Sequence, residues 1–345
     1  MDHAHIVFQD YRPAPSPTIR HPFPAEESGA TPGCSATSYN LFQEPWWLDA
    51  VAAGEWEEVS VKRGGQLAAR LPFVRKKVAG RVWLVQPKLT PYLGPWLRPS
   101  SAKLPHKIAE EKELMEELID VLPKFGLFRQ CFAPEVMNWL PFYWRGFSQT
   151  TRYTYRLAGL DDPARIWTGL RENIRREIRK ARKIVSVRDD LHVGCLALVW
   201  EKTFRRQGKG LPVSTDLLHR IDWACQKRDC GKLLVAEDGR GKIHSAAYIV
   251  WDDRCAYYLI AGSDPELRNS GACSLVMWEA IQFASRVSRQ FDFEGSIIEP
   301  IERFFRSFGG EPIPYFSLLK LSRPMTFLAG LYHAGCALFA RRPSI

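Results

Sequence analysis

The run AYYLIAGSDPELRNSGACSLVMWEAIQFASRVSRQFDFEGS, Ala256 to Ser296, decides how this chain is read. A strand-like stretch leads into a loop carrying Arg268, Asn269, Ser270, Gly271 and Ala272. An apolar-periodic segment, Ser270 to Arg289, then predicts a helix, and the alternating Phe291-Asp292-Phe293 predicts a strand ending in DFEGS. Glycine at the start of a helix lets unpaired backbone N–H groups and the positive end of the helix dipole converge on one spot. Such a spot suits a pyrophosphate, with Arg268 adding a charge-assisted contact.

Working upstream, Leu233–Glu237, Ile243–Trp251 and Cys255–Ala261 read as strands. The turns Asp238-Gly239 and Asp252-Asp253-Arg254 join them into an antiparallel meander. Downstream, IERFFRSFG reads as a short helix and a final strand runs to Leu321. This half opens at Asp161-Asp162-Pro163, where an acidic cap and a proline announce a helix running to about Lys183. Helices are also expected over Ala197–Arg206 and Thr215–Arg228.

The first half repeats the order helix, meander, helix, strand. Leu41 to Val51 is helical in two pieces because of Pro45, strands follow at Trp56–Lys62, Gln66–Arg75 and Val82–Gln86, and His106–Lys124 is amphipathic. Phe128–Phe132 and Thr151–Leu157 return to strand character. The expectation is an α+β protein of two similar domains, 38–160 and 161–322. It is preceded by an extended tail, 1–37, holding six prolines, and followed by an apolar tail helix, 323–345.

Composition narrows the partners. The formal charge of +10 and pI near 9.2 favour a polyanion such as a nucleotide, a tRNA, a phosphorylated sugar or an anionic membrane surface. Residues 171–183 concentrate this charge, with seven cationic and two acidic side chains. The eight cysteines are scattered without a Cys-x-x-Cys, so they read as reduced thiols and no metal site is expected. No secretory signal is legible in MDHAHIVFQDYRPAPSP, which points to the cytoplasm. Met325–Ala340 is apolar but shorter than a membrane span, so it fits packing or contact with the inner face of the membrane, with Arg323, Arg341 and Arg342 flanking it.

The meander followed by Arg-x-x-Gly-x-small, a helix and a strand resembles the acyl-CoA-binding core of the GNAT acyltransferases. Cys273 stands where that family usually has Gly or Ala. A longer resemblance rests on NIRREIRKARK at 173–183, DFEGS at 292–296 and FFRSFGG at 304–310. These are similar to the Fem-type (FemABX) peptidyltransferases and to BioF2-like or CelD-like acetyltransferases of polysaccharide and cell-wall gene clusters. The resemblance implies two tandem GNAT-like domains, each a mixed, mostly antiparallel sheet flanked by helices. It also implies acyl-CoA (acetyl-CoA) as co-substrate, held at Arg268, Asn269, Ser270, Gly271 and Ala272. Arg306 stands where the Fem motif carries a transition-state Lys beside Phe305, and Arg175 and Arg179 match the helix that grips substrate phosphates.

Acyl transfer needs a base for the amine and donors for the oxyanion. Glu294 or Asp292 could take the proton, Tyr258 could protonate a leaving thiolate, and Arg306 could face developing charge but not act as a base. The aromatic loops QPKLTPYLGPW and NWLPFYWRGFSQTTRYTY offer Tyr92, Trp96, Asn138, Trp144 and Arg152 as contacts for a sugar ring or flat acyl chain. The expected reaction is N-acylation of an amine on a small molecule or a nucleotide- or lipid-linked sugar; DNA is not an expected partner. The alternatives are aminoacyl transfer from charged tRNA and a non-catalytic nucleotide-sugar or membrane-surface binding module.

Overall fold

The last strand of the chain lies in the middle of the sheet. In the computed structural model, which describes residues 34–322 apart from Gln207, Lys209 and Ser296, β12 (Glu311–Leu321) runs between β5 (Leu127–Cys131) and β6 (Ser148–Ala158), antiparallel to both. This placement joins the two halves into one continuous sheet of mixed, mostly antiparallel pairing. The expected 1–33 and 323–345 tails lie outside the described residues.

On one side of β12 and β5 the sheet continues through β3 (Arg81–Val85), β2 (Gln66–Val78) and β1 (Trp56–Arg63), with the short β4 (Trp96–Leu97) paired to β2. On the other side of β6 come β11 (Gln290–Asp292), β10 (Cys255–Ser263), β9 (Ile243–Trp251), β8 (Gly231–Asp238) and β7 (Val185–Arg188). Both expected meanders are present, and the α+β class is as read from the pattern. β2, β8, β9 and β10 are buried along continuous runs on both faces, as strands covered on both sides are.

The helices form a layer on each face. In the first half, a single 3-10 turn at Leu41–Gln43 precedes α1 (Pro45–Ala52), the break falling before Pro45 as its ring requires. Next come α2 (Leu104–Asp120), whose Leu114, Met115 and Leu118 enter the first core, and the short α3 (Leu140–Trp144). The second half carries α4 (Pro163–Gly169), α5 (Glu172–Ala181), α6 (Gly194–Arg205), α7 (Thr215–Gln226), α8 (Ala272–Ala284) and α9 (Glu299–Arg306).

The single helix expected over 161–183 is corrected to two. Leu170 and Arg171 are extended, and the Arg171 N–H donates to Ser307 O at the end of α9 (3.0 Å). That long-range bond takes a backbone donor out of the helix. The expected Ser270–Arg289 helix is likewise shorter, starting after Gly271 and ending at Ala284. Its residues are buried around most of the circumference, as befits a helix between the sheet and α5.

Candidate active site

β10 and β11 pair in parallel only from Cys255 to Tyr257 against Gln290 to Asp292. Beyond that point β11 stops while β10 continues, and the strands part. At the same place the β10–β9 register slips, so that Tyr258 and Leu259 stand opposite the single Ile249. This is a bulge, which leaves a residue outside the ladder and re-aims the strand. Tyr258 lies inside the fork, edge-on to Phe305 of α9 (centroids 6.4 Å), and Phe305 stacks on Phe293 (5.6 Å). Burial, with Cys273 nearby, holds the Tyr258 phenol above its ordinary range, so it is protonated at neutral pH.

The glycine loop lies between β10 and α8. Gly271 is left-handed (φ 79°), and a Cβ built there would stand 2.5 Å from the Glu177 backbone oxygen. Only glycine lets α5 approach this closely while α8 starts. Ser270 Oγ accepts the Ala272 N–H (3.3 Å), while Arg268 and Asn269 are exposed, and the Arg268 guanidinium has no partner among the described residues. The loop thus presents a free cation at the start of a thirteen-residue helix.

Asp292 to Gly295 lie at the end of the shorter strand. Glu294 is left-handed (φ 59°), uncommon for a side chain of its size, and so is Gly295 (φ 52°), whose added Cβ would meet Tyr153 O at 2.1 Å. Glu294 Oε1 is sealed from solvent without a hydrogen-bond partner among the described residues. Burial, and then the negative charge of Asp292, pushes its carboxyl well above the usual carboxylate range. A left-handed residue carrying a sealed carboxyl oxygen without a hydrogen-bond partner among the described residues is the strongest functional signal in the structure.

Asp292 is not the free base the strand pattern allowed. It is fully buried and accepts from Thr154 Oγ1 (2.5 Å), Arg156 Nε (2.8 Å), Tyr92 OH (3.2 Å) and the Glu294 N–H (2.7 Å). Every lone pair has a donor, which corrects its assignment as a proton acceptor. Arg306 is half exposed and donates through Nε to Glu302 Oε1 (2.8 Å), which also accepts the Tyr155 hydroxyl (2.6 Å). Phe305 is buried between Tyr258 and Phe293, and so forms the wall of the fork and not an acceptor contact.

The expected substrate contacts scatter. Tyr92 and Trp96 are buried, a correction to their reading as open contacts for a sugar ring or acyl chain. Tyr92 reaches Asp292, and Trp96 pairs with β2. Asn138 Oδ1 accepts the Leu140 N–H, Trp144 is exposed on α3 under Lys112 (5.2 Å), and Arg152 lies half-buried opposite Tyr315. Arg175 and Arg179 share Glu172, at 2.7 Å and 3.4 Å, so an incoming phosphate would have to displace that carboxylate.

Sequence reasoning missed Tyr153. The register pairs Thr151, Tyr153 and Tyr155 with Phe316, Pro314 and Pro312 on one sheet face. Tyr155 reaches α9 through Glu302, and Phe316 touches Trp139 at the start of α3 (6.4 Å). Between the two helices Thr151, Tyr153 and Pro314 stay exposed, an apolar floor leading to Gly295. Only the strand pairing reveals it. Among the described residues no cluster of His, Cys, Asp or Glu could hold a metal ion, and no helix is long and apolar enough to cross a membrane.

Residues 168–299 match the family model described as an acetyltransferase (GNAT) domain. No curated protein matches the chain by sequence. Among solved structures the chain is similar to FemX, at 12% identity and TM-score 0.60, over 81% of this chain and 93% of that one. It is also similar to the C-terminal domain of a protein from Agrobacterium fabrum described as a lysylphosphatidylglycerol synthetase (11%, TM-score 0.50, 84% and 91%). A third is a conserved protein of unknown function from Bacteroides thetaiotaomicron (11%, TM-score 0.51, 84% and 96%).

Proposed function

We propose that this chain, a GNAT-fold protein of Fem-like architecture, transfers an acyl group from acyl-CoA to an amine in the groove between α3 and α9. The observations that carry this reading are the forked β10–β11 pair, Arg268 in the loop after β10 and Glu294 Oε1 just after β11, the last two without a partner among the described residues. Arg268, with the backbone from Asn269 to Ala272, would hold the donor pyrophosphate, and the thioester would lie beside Tyr258 in the fork.

The amine lone pair attacks the thioester carbonyl, the new C–N bond forms and the C–S bond breaks. The proton lost by the attacking nitrogen goes to ionised Glu294, whose raised proton affinity makes it the stronger base once deprotonated. The departing thiolate takes a proton from Tyr258. Arg306 stands near the fork, on α9 one residue after Phe305, where it faces developing charge or an acceptor phosphate. An amino sugar or a related envelope precursor suits the exposed Tyr153 floor, since an aromatic face with a polar tip accepts a sugar ring.

A second reading is aminoacyl transfer from charged tRNA to an envelope precursor. The likeness to FemX and to the lysylphosphatidylglycerol synthetase domain favours it, together with the cationic α5 beside the donor loop. Incubation of the protein with a panel of amino sugars, and either radiolabelled acetyl-CoA or charged tRNA, separates the two. Label transfer from acetyl-CoA supports the first reading, transfer from tRNA alone supports the second, and transfer from neither removes both.

A further inference from the structure

We infer that Asp292 is a positioning residue for Glu294, fastening the left-handed turn that carries the Glu294 carboxyl, and that Tyr92 of the first half belongs to the same device. The inference rests on the reading of Glu294 as the proton acceptor. Asp292 ends β11, and its Oδ1 accepts the N–H of Glu294, two residues on, at 2.7 Å. A bond of this kind closes a tight local turn. The next residue, Gly295, sits against Tyr153 O, so the turn is clamped from both sides.

The carboxylate that makes this bond is itself held from three other elements or positions. Thr154 and Arg156 donate from β6, and Tyr92 donates from the loop between β3 and β4, two hundred residues away in sequence. The ionisable groups facing Asp292 are Arg156, Tyr92, Cys255 of β10 and Tyr315 of β12, with Glu135 beyond Arg156. Burial works against the charge on Arg156, but Asp292 outweighs it and the guanidinium stays protonated. Asp292 and Arg156 thus form a buried ion pair, while Glu294 Oε1 has no hydrogen-bond partner among the described residues.

Two consequences separate this role from simple packing. Removing the Asp292 charge should make Glu294 easier to ionise, because a like charge nearby favours the neutral carboxyl. Removing the Tyr92 hydroxyl leaves the Asp292 charge less well neutralised and should act in the opposite direction.

The test is infrared difference spectroscopy of the full chain across a pH series, with the Glu294 carboxyl stretch identified by its loss in Glu294→Gln. Asp292→Asn should lower the midpoint of that band by roughly one pH unit or more, and Tyr92→Phe should raise it by less. If Asp292→Asn fails to fold by circular dichroism, Tyr92→Phe decides alone. Unchanged midpoints in the variants that fold overturn the inference. The spectroscopic readout needs no substrate. Shifts of the expected signs in a protein that transfers no acyl group would retain the Asp292–Glu294 coupling and reject Glu294 as the base. Where activity is found, the acid limb of the kcat profile should move to lower pH in Asp292→Asn.

Discussion

Phe305 stacks on Phe293 with ring centroids 5.6 Å apart and planes inclined by 30°. One ring comes from α9 and the other from the segment leaving β11, so this pair ties the helix to the fork. Phe305→Ala should cost about 3–5 kcal/mol, the usual range for a buried Phe-to-Ala truncation, read as a lower midpoint in urea unfolding. Phe305→Leu should keep most of the stability and admit longer acyl chains. A truncation that left the unfolding midpoint unchanged would show that the stack does not pack the fork closed.

Glu294→Gln should lower acyl transfer by roughly 10²- to 10⁴-fold, the usual contribution of a positioned acid or base. Its effect on stability has a definite sign. The folded carboxyl binds its proton more tightly than the unfolded one. Its favourable contribution is therefore complete below the ordinary glutamate range and is lost as pH rises towards the raised folded value. Glutamine has no such loss. Denaturation at pH 4 should find the variant and parent similar, and at pH 8 the variant should be the more stable.

Arg268→Ala removes a guanidinium with no partner among the described residues, so folding should be unaffected. Donor affinity should fall roughly 10- to 100-fold, as expected for loss of a charged hydrogen bond to phosphate. Isothermal titration with the acyl-CoA checks this; unaltered affinity would move the donor away from the loop.

Gly271→Ala places a Cβ within 2.5 Å of the Glu177 backbone oxygen and demands a left-handed alanine. The conformation alone costs about 1–2 kcal/mol, and the contact can be relieved only by moving α5 off α8. The expected outcome is a clear loss of thermal stability together with weaker donor binding. Measuring both in the same preparation distinguishes it from Arg268→Ala, which should change binding alone.

Arg306 and Glu302 pair on the surface of α9, and Glu302 also holds Tyr155. Arg306→Ala should leave the melting temperature within experimental scatter. If it also leaves kcat intact, the residue has no part in the chemistry. Arg306→Lys would test whether charge alone suffices at this position.

Much of the architecture was legible because it rests on short-range pattern. Apolar runs bounded by turn residues mark β8, β9 and β10, and Gly271 marks the loop that opens α8, since these features are local. The break between α4 and α5 was not legible, because its cause is a bond from Arg171 to Ser307. Asp292 could be read as a base from its position on the strand. Its true partners, Tyr92, Thr154 and Arg156, lie 136 to 200 residues away. The Tyr153 floor was missed for the same reason, since it exists only when β12 lies beside β6.

The sequence by itself determined the two strand meanders, the α+β class and the glycine loop at the mouth of α8. Each depends on side-chain periodicity or on a backbone conformation that few residues tolerate. The tertiary structure decided which carboxylate is held by hydrogen bonds. The two acids, two residues apart, differ because Asp292 meets an arginine and a threonine from β6 and a tyrosine from the β3–β4 loop, while Glu294 Oε1 meets no hydrogen-bond partner among the described residues. Burial then raises the proton affinity of Glu294, and no local pattern encodes that difference.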